Sequence, residues 1–337
     1  MKKELLPQLS KMKSQDKDAL IYKLWEENQK LKEELEKLKQ KTKNKTSKNS
    51  SLPPSTDQKA NNKNKSIKKK KKKHKLEGAI ANILKKTKKE LIPTMSEIVE
   101  KLRNSQQVYS DETSARVRGK NEWEWVFQNS EVCYHIIEPS RGAKVIKQVM
   151  DTHEPSVWGS DLFSAQKNHP ASSWQVCLAH QIRDTQYGIE QGDEIFSGVM
   201  EKLFLKAIDL HRRRDNLSNY DYHQSCDEIK KELFQALDLK PTSDDGKRLL
   251  KRYQKIKDNL FLFLENPLLE PTNNSSEQAL RWSVIFRKIT NGFRSDWGKD
   301  LFSYVRSIIN TGKRQGLSAI ESIRVALSPS LSLFSPS

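Results

Sequence analysis

Cysteine is scarce in this 337-residue chain: Cys133, Cys177 and Cys226 form an odd, scattered set with no C-x-x-C pair. That pattern argues against a disulfide framework and a four-cysteine zinc module, and it points to a reducing compartment. Long apolar runs are also missing. No stretch of about 18 apolar residues occurs, and Met1-Lys2-Lys3-Glu4 has no apolar segment behind it, so neither membrane spanning nor secretion is expected. Apolar residues make up 35% of the chain, below the ~45–50% usual for globular domains, which predicts that part of it is extended or unfolded. Basic residues are abundant instead. With 61 Lys plus Arg against 43 Asp plus Glu, the net charge is +18, which calls for a polyanionic partner, most simply nucleic acid.

The charge is concentrated near the N-terminus. Residues 1–75 carry 24 Lys and 9 acids, and so +15 of the +18. Residues 43–75 are Lys, Asn and Ser with Pro53-Pro54 and the run Lys68, Lys69, Lys70, Lys71, Lys72, Lys73; such a segment buries too little apolar surface to offset its ordering entropy. It is read as a disordered basic linker, either a solvated spacer or a non-specific attractor of phosphate. Ahead of it, within residues 1–42, Ile21, Leu24, Asn28, Leu31, Leu35 and Leu38 alternate in steps of three and four. With Ile21, Asn28 and Leu35 at a and Leu24, Leu31 and Leu38 at d, residues 20–40 predict a parallel homodimeric coiled coil, in which Glu27 and Glu34 at g attract Lys32 and Lys39 at e. The competing reading is one amphipathic helix packed on its own chain.

Residues 76–104 predict two helices separated at Pro93, the second opened by a Thr94–Glu97 capping box. The periodicity then changes to two. Val108 to Asp111 reads as a short strand, Trp123, Trp125 and Phe127 alternate with Glu122, Glu124 and Val126, and Asn129-Ser130 turns the chain into a third strand at Val132 to Ile137. Ser140 is placed as the cap of a short helix carrying Val145, Ile146 and Val149, after which Val157 to Asp161 returns as a parallel strand. Three strands, a helix and a return strand predict an α/β core with a ribonuclease H-like mixed sheet. The core is expected over residues 105–186 and 267–327, interrupted by a helical insertion at 187–266 and followed by a tail at 328–337.

Asp111 and Asp161 are each predicted at a strand end, and adjacent strand ends in an open sheet bring such side chains together. Glu277 opens a helix expected from Ser275 through Lys288. Three carboxylates from three elements can hold two divalent ions ~3.5–4 Å apart, the arrangement that clamps attacking and leaving oxygens in phosphoryl transfer. Magnesium, or manganese in its place, suits oxygen ligands of this kind.

Taken together, Asp111-Glu112-Thr113, Gly119-Lys120, Trp123-x-Trp125-Val126-Phe127, Ser140-Arg141-Gly142-Ala143, Ser160-Asp161, Cys177-Leu178-Ala179-His180, Arg183-Asp184, Asn274-x-x-Glu277-x-x-x-Arg281 and Arg287-Lys288-Ile289 resemble the DDE transposases of bacterial insertion sequences, in particular the insertion-sequence family numbered sixty-six. The resemblance runs from about residue 76 to 327, and the leucine-rich helix followed by Asn49-Ser50-Ser51-Leu52-Pro53-Pro54-Ser55 is similar to the family's N-terminal region. It implies a cytoplasmic, nucleoid-associated enzyme that cleaves and joins DNA at element ends and target. Asp111, Asp161 and Glu277 match the family's metal-binding triad, with two Mg²⁺ or Mn²⁺ ions per site. One departure stands out. The family carries a cysteine-rich zinc-binding segment before the DET motif, whereas the first cysteine here is Cys133; the chain reads as internally shortened, and no zinc is expected. A catalytically silent DNA-binding or dimerising remnant that regulates an intact transposase is the alternative, and a structure-selective nuclease of the same fold is a third.

Around the triad, Arg281, Arg287, Lys288 and Arg294 are expected to line the DNA strand, with Arg281 one turn after Glu277 and able to pair with it or to hold a phosphate. Lys68 to Lys73 are expected to attract phosphate. Arg212-Arg213-Arg214 is either a phosphate contact or a solvated helix face. Cys177 and His180 cannot complete a zinc tetrahedron by themselves, and both are given structural places, the histidine as a core or DNA-facing residue.

Overall fold

The computed structural model describes residues 26, 30, 33 and 34 and then residues 73–334 apart from 267, 268 and 329. The heptad positions and Lys68 to Lys72 lie outside the described residues. Residues 26, 30, 33 and 34 are helical and exposed. The predicted linker ends earlier than expected: helix α1 (Lys73–Glu90) already contains its last three residues. Helix α2 (Ile92–Arg103) buries Met95, Ile98 and Leu102. Its capping box is not formed, because the helix starts at Ile92 with Pro93 in its first turn. Thr94 therefore lies inside the helix, and its hydroxyl donates to the Ala326 carbonyl.

Five strands follow: β1 (Gln107–Val117), β2 (Lys120–Gln128), β3 (Cys133–Glu138), β4 (Val157–Ser160) and β5 (Ser173–Val176). They form one mixed sheet in the order β3-β2-β1-β4-β5. β2 pairs antiparallel with β1 from Tyr109↔Gln128 to Val117↔Lys120 through a hairpin at Arg118-Gly119, where both residues have positive φ (49° and 79°). β1 is thus far longer than the four-residue strand the sequence suggested. β4 runs parallel to its first half only, from Gln107↔Val157 to Tyr109↔Gly159. Asp111 consequently sits mid-strand, where β4 has just ended, and not at the end of β1. The predicted turn at Asn129 forms, with its Oδ1 accepting from the Glu131 and Val132 amides at 2.8 Å. Helix α3 (Lys144–Met150) has Ala143 as its cap, and the Ser140 hydroxyl accepts from the Gly142 amide in the preceding turn.

Both faces of the central strands are covered, and this overturns the simple inside–outside alternation of β2. Trp125 and Phe127 belong to the main core with Trp158, Val145 and Ile146. On the other face, helix α9 (Asn274–Thr290) brings Ala279 and Leu280 onto Val126 and Cys133, and helix α10 (Asp296–Arg314) meets β3 through Ser307 and Thr311, whose hydroxyls accept from the His135 and Cys133 amides. Glu122 and Glu124 are buried there and partnered: Lys299 lies 2.6 Å from Glu122, and His135 lies 2.9 Å from Glu124. Between β5 and α9 come helices α4 (Leu178–Glu190), α5 (Phe196–Arg212), α6 (Asn219–Leu237), α7 (Asp244–Ile256) and α8 (Leu262–Glu265), packed through Phe196, Phe204, Tyr253 and Phe261. Helix α11 (Ala319–Ala326) opens with a capping box between Ser318 and Glu321. Among the described residues no helix is long and apolar enough to cross a membrane.

Gly159 sets the approach of β4 to β1. A Cβ added there would stand 2.3 Å from the Tyr109 ring, and that ring is tethered by its hydroxyl, which accepts from the Glu270 amide at 2.7 Å. Gly159→Ala should therefore destabilise the protein by ~1–3 kcal/mol, as overpacking does, measured as a lowered urea midpoint.

Candidate active site

Asp111 and Asp161 are positioned by the backbone around them. Asp111 Oδ1 accepts from the Glu112 amide at 2.8 Å, and Asp161 Oδ1 accepts from the Phe163 amide at 3.0 Å in the turn that leaves β4. Buried hydrogen bonds lock the neighbouring rungs. Trp158 Nε1 donates to the Ser110 hydroxyl at 2.8 Å, and Trp174 Nε1 donates to the Ser160 hydroxyl at 2.9 Å. The same region fixes the start of α9. Asn273 Nδ2 donates to the Ser110 carbonyl at 2.8 Å, its amide donates to Cys177 Sγ at 3.1 Å, and the Leu178 amide donates to the Pro271 carbonyl. Cys177 thus has a structural role, holding the segment that delivers Glu277.

Glu277 lies on the first turn of α9, with His180 Nε2 of α4 at 3.8 Å and Arg183 at 3.5 Å from its carboxylate. His180 is the group that the three carboxylates share. It is close enough to Asp111, Asp161 and Glu277 to interact electrostatically with each. Its Nδ1 is buried with no partner in hydrogen-bond geometry. The nearby Cys177 sulfur, then Asp161 and Glu277, outweigh partial burial and push its pKa up to about 9. Asp111 is pushed up to about 7, chiefly by burial and then by the charges of Glu112 and Asp161, against the lowering pull of the Glu112 amide and His180. Burial and mutual repulsion of carboxylates both favour the protonated form, and residues shifted in this way concentrate at functional sites.

Two residues in the quoted motifs acquire a place that no sequence pattern assigned. Glu112 points away from Asp111 and accepts from Arg141 at 2.8 Å and from Gln166 Nε2 at 2.7 Å. The Arg141 guanidinium in turn lies over the Phe163 and Trp123 rings, at 3.8 Å and 4.4 Å from their centroids. This stack braces the loop that carries Asp161 against β1.

Residues 72–300 match the family described as the Transposase IS66 family. The chain belongs to that family. Residues 4–90 match a second family, one of unknown function, and no curated protein matches the chain. The IS66 match spans β1, β4 and all of α9, and so includes Asp111, Asp161 and Glu277.

The donor chemistry suits a hard divalent ion of the kind IS66 transposases are expected to use. The oxygens are carboxylate, and burial together with the charges of Glu112 and Asp161 raises the Asp111 pKa. As the side chains stand, no three His, Cys, Asp or Glu among the described residues are grouped closely enough to enclose an ion, Glu277 being turned to His180 and Arg183. The basic residues divide. Arg281 and Lys288 are exposed and line a groove of about 600 Å³ together with Glu277, and the Glu277 carboxylate takes its ion pairs from α4 and not from Arg281. Arg294 is exposed. Arg287 is committed elsewhere: its guanidinium donates to the carbonyl and hydroxyl of Ser114, pinning α9 to β1. Arg213 pairs with Asp209 at 2.8 Å, and Arg214 lies over the Tyr222 ring, so two of the three consecutive arginines serve the helical segment itself.

Proposed function

We propose that the chain is a DDE-type DNA transposase with a ribonuclease H-like core, in which Asp111, Asp161 and Glu277 hold divalent metal and carry strand cleavage and strand transfer of an insertion sequence. The observation that supports this reading is that His180, 3.8 Å from Glu277 at the start of α9, also interacts electrostatically with Asp111 of β1 and Asp161 just past β4, all within the segment that matches the family. The strand order, with three antiparallel strands followed by two parallel ones, supports the fold assignment.

In the first step water attacks the phosphorus at the element end, one P–O bond forms as the P–O3′ bond breaks, and a 3′ hydroxyl leaves. In the second, that hydroxyl attacks a target phosphodiester, again forming one P–O bond and breaking one. Bound Mg²⁺ or Mn²⁺ supplies charge neutralisation and a more acidic nucleophile. The protein does the rest. Asp111 of β1, Asp161 just past β4 and Glu277 of α9 would hold the ion, His180 and Arg183 orient the Glu277 carboxylate, and Arg281 and Lys288 hold the phosphate backbone in the adjoining groove. The test is Mg²⁺- or Mn²⁺-dependent cleavage and joining on duplexes carrying the flanking terminal sequences. Metal-dependent nicking without joining would favour a nuclease, and DNA binding without either would favour the silent regulatory remnant.

The N-terminal lysines, Lys68 to Lys73 included, are the proposed source of sequence-independent DNA affinity, and residues 20–40 of a homodimer contact. Lysine ammonium groups neutralise phosphates but a run of them reads no base edges. DNA binding should therefore fall steeply with salt, with a log–log slope of several units. Terminal-repeat and scrambled duplexes should compete about equally at ~150 mM salt; a preference of ~10³ or more would show specific readout in the chain.

A further inference from the structure

On the side of α9 away from Glu277, a cavity of about 560 Å³ opens between that helix, α10 and the start of β1, a size within the ~300–1,000 Å³ of small-ligand sites. Its lining is chemically mixed. Trp282 is 61% exposed, although it is the kind of side chain that is usually covered. Lys313 is exposed and has no acidic partner among the described residues. Two buried polar atoms on the wall are unpartnered, the acceptor Gln107 Oε1 and the donor Arg306 Nε. Arg306 Nη2 donates to the Ala279 carbonyl at 3.0 Å, which holds this side chain at the cavity wall. Unpaired buried donors and acceptors are costly and uncommon in folded proteins. Here both belong to residues that line the same cavity, and a turn of either side chain would offer its polar atom to a ligand.

A ligand for this cavity must offer an aromatic face, both a donor and an acceptor on its edge, and an anionic group. Glu270, which also lines it, disfavours a bare anion and accepts from an amino group. A nucleotide meets all four conditions. We propose that the cavity takes a single unstacked nucleotide of the DNA strand, its base against Trp282, its edge on Gln107 and Arg306, and its phosphate toward Lys313. Stacking on an exposed aromatic ring is how proteins hold unpaired bases. The inference rests on the chain acting on DNA, and it assigns a site separate from the carboxylates.

The test uses the full chain in EDTA, so that binding is read without cleavage, with duplexes that are blunt or carry a three-nucleotide single-stranded overhang containing 2-aminopurine. Expected are about tenfold tighter binding of the overhang duplex, quenched 2-aminopurine emission, and loss of both in Trp282→Ala with affinity for the blunt duplex unchanged. Trp282→Phe should retain most of the preference, and Lys313→Ala should weaken the overhang duplex more than the blunt one. Equal binding of blunt and overhang duplexes overturns the nucleotide site while leaving the transposase reading intact. No DNA binding of any kind overturns both. Competition by free dAMP as strongly as by the overhang would overturn the strand as source and leave a mononucleotide site.

Discussion

An Asp161→Asn chain is expected to bind DNA as the unaltered protein does and to lose metal-dependent strand cleavage by ~10³-fold or more, the scale on which charge stabilisation at a reacting phosphate is felt. The amide is nearly isosteric. Its oxygen can still accept from the Phe163 amide that holds the turn after β4, so the fold should survive, and the loss will be chemical. Removing the Asp161 charge also removes one of the groups that push Asp111 up to about 7, and the Asp111 carboxyl in this variant should titrate lower, by NMR of the labelled side chain. Retained cleavage with a lowered Asp111 titration would mean that the carboxylates interact as described but do not carry the reaction.

The second large effect lies on the opposite face of β2. Glu124 is buried with His135 Nδ1 at 2.9 Å and the Ser283 hydroxyl at 2.7 Å, and His135 Nε2 in turn lies 3.4 Å from Cys133 Sγ and 2.9 Å from Asn310 Nδ2. Burial alone would lower the His135 pKa, but the Cys133 sulfur and Glu124 outweigh it and push it up to about 9. Glu124→Ala leaves that imidazolium without its carboxylate and should cost about 3–5 kcal/mol, the range for breaking one half of a buried ion pair, seen as a lowered midpoint in urea. The pH dependence follows from the sign of the shift. A histidine raised from 6.5 to about 9 on folding contributes stability that is fully present below about pH 6.5 and is lost as pH rises through about 9. The unaltered protein should therefore weaken between neutral and alkaline pH, and the variant should show a shallower decline over the same window.

The sheet and the helix bearing Glu277 were legible because their signals are local: period-two runs at Trp123 to Phe127 and Val132 to Ile137, and a polar helix opening at Asn274. What stayed hidden depends on partners distant in the chain. Glu122 and Glu124 read as a solvent face until Lys299, His135 and Ser283 are seen against them. The polar second half of β1 has little apolar pattern of its own and forms through the hairpin with β2. β5 is four residues long and is defined by its parallel pairing with β4. Arg287 read as a residue lining the DNA strand, and its commitment to Ser114 is a long-range contact. Two carboxylates on neighbouring strands could be inferred from topology, whereas the central place of His180 required knowing that α4 passes beside the start of α9.

The distance in sequence between the halves of the carboxylate cluster has a consequence during synthesis. Glu277 follows Asp161 by 116 positions, and at ~5–20 residues per second a ribosome needs roughly 6–23 s to cover them. For that interval a nascent chain can pair β1 with β4 and hold Asp111 and Asp161 side by side, but it has no Glu277. Nor can it seat the Asn273 side chain on the Ser110 carbonyl. Completion of the cluster is thus tied to near-completion of the polypeptide, and a chain released early, anywhere in the helical segment between β5 and α9, would leave the ribosome without the third carboxylate.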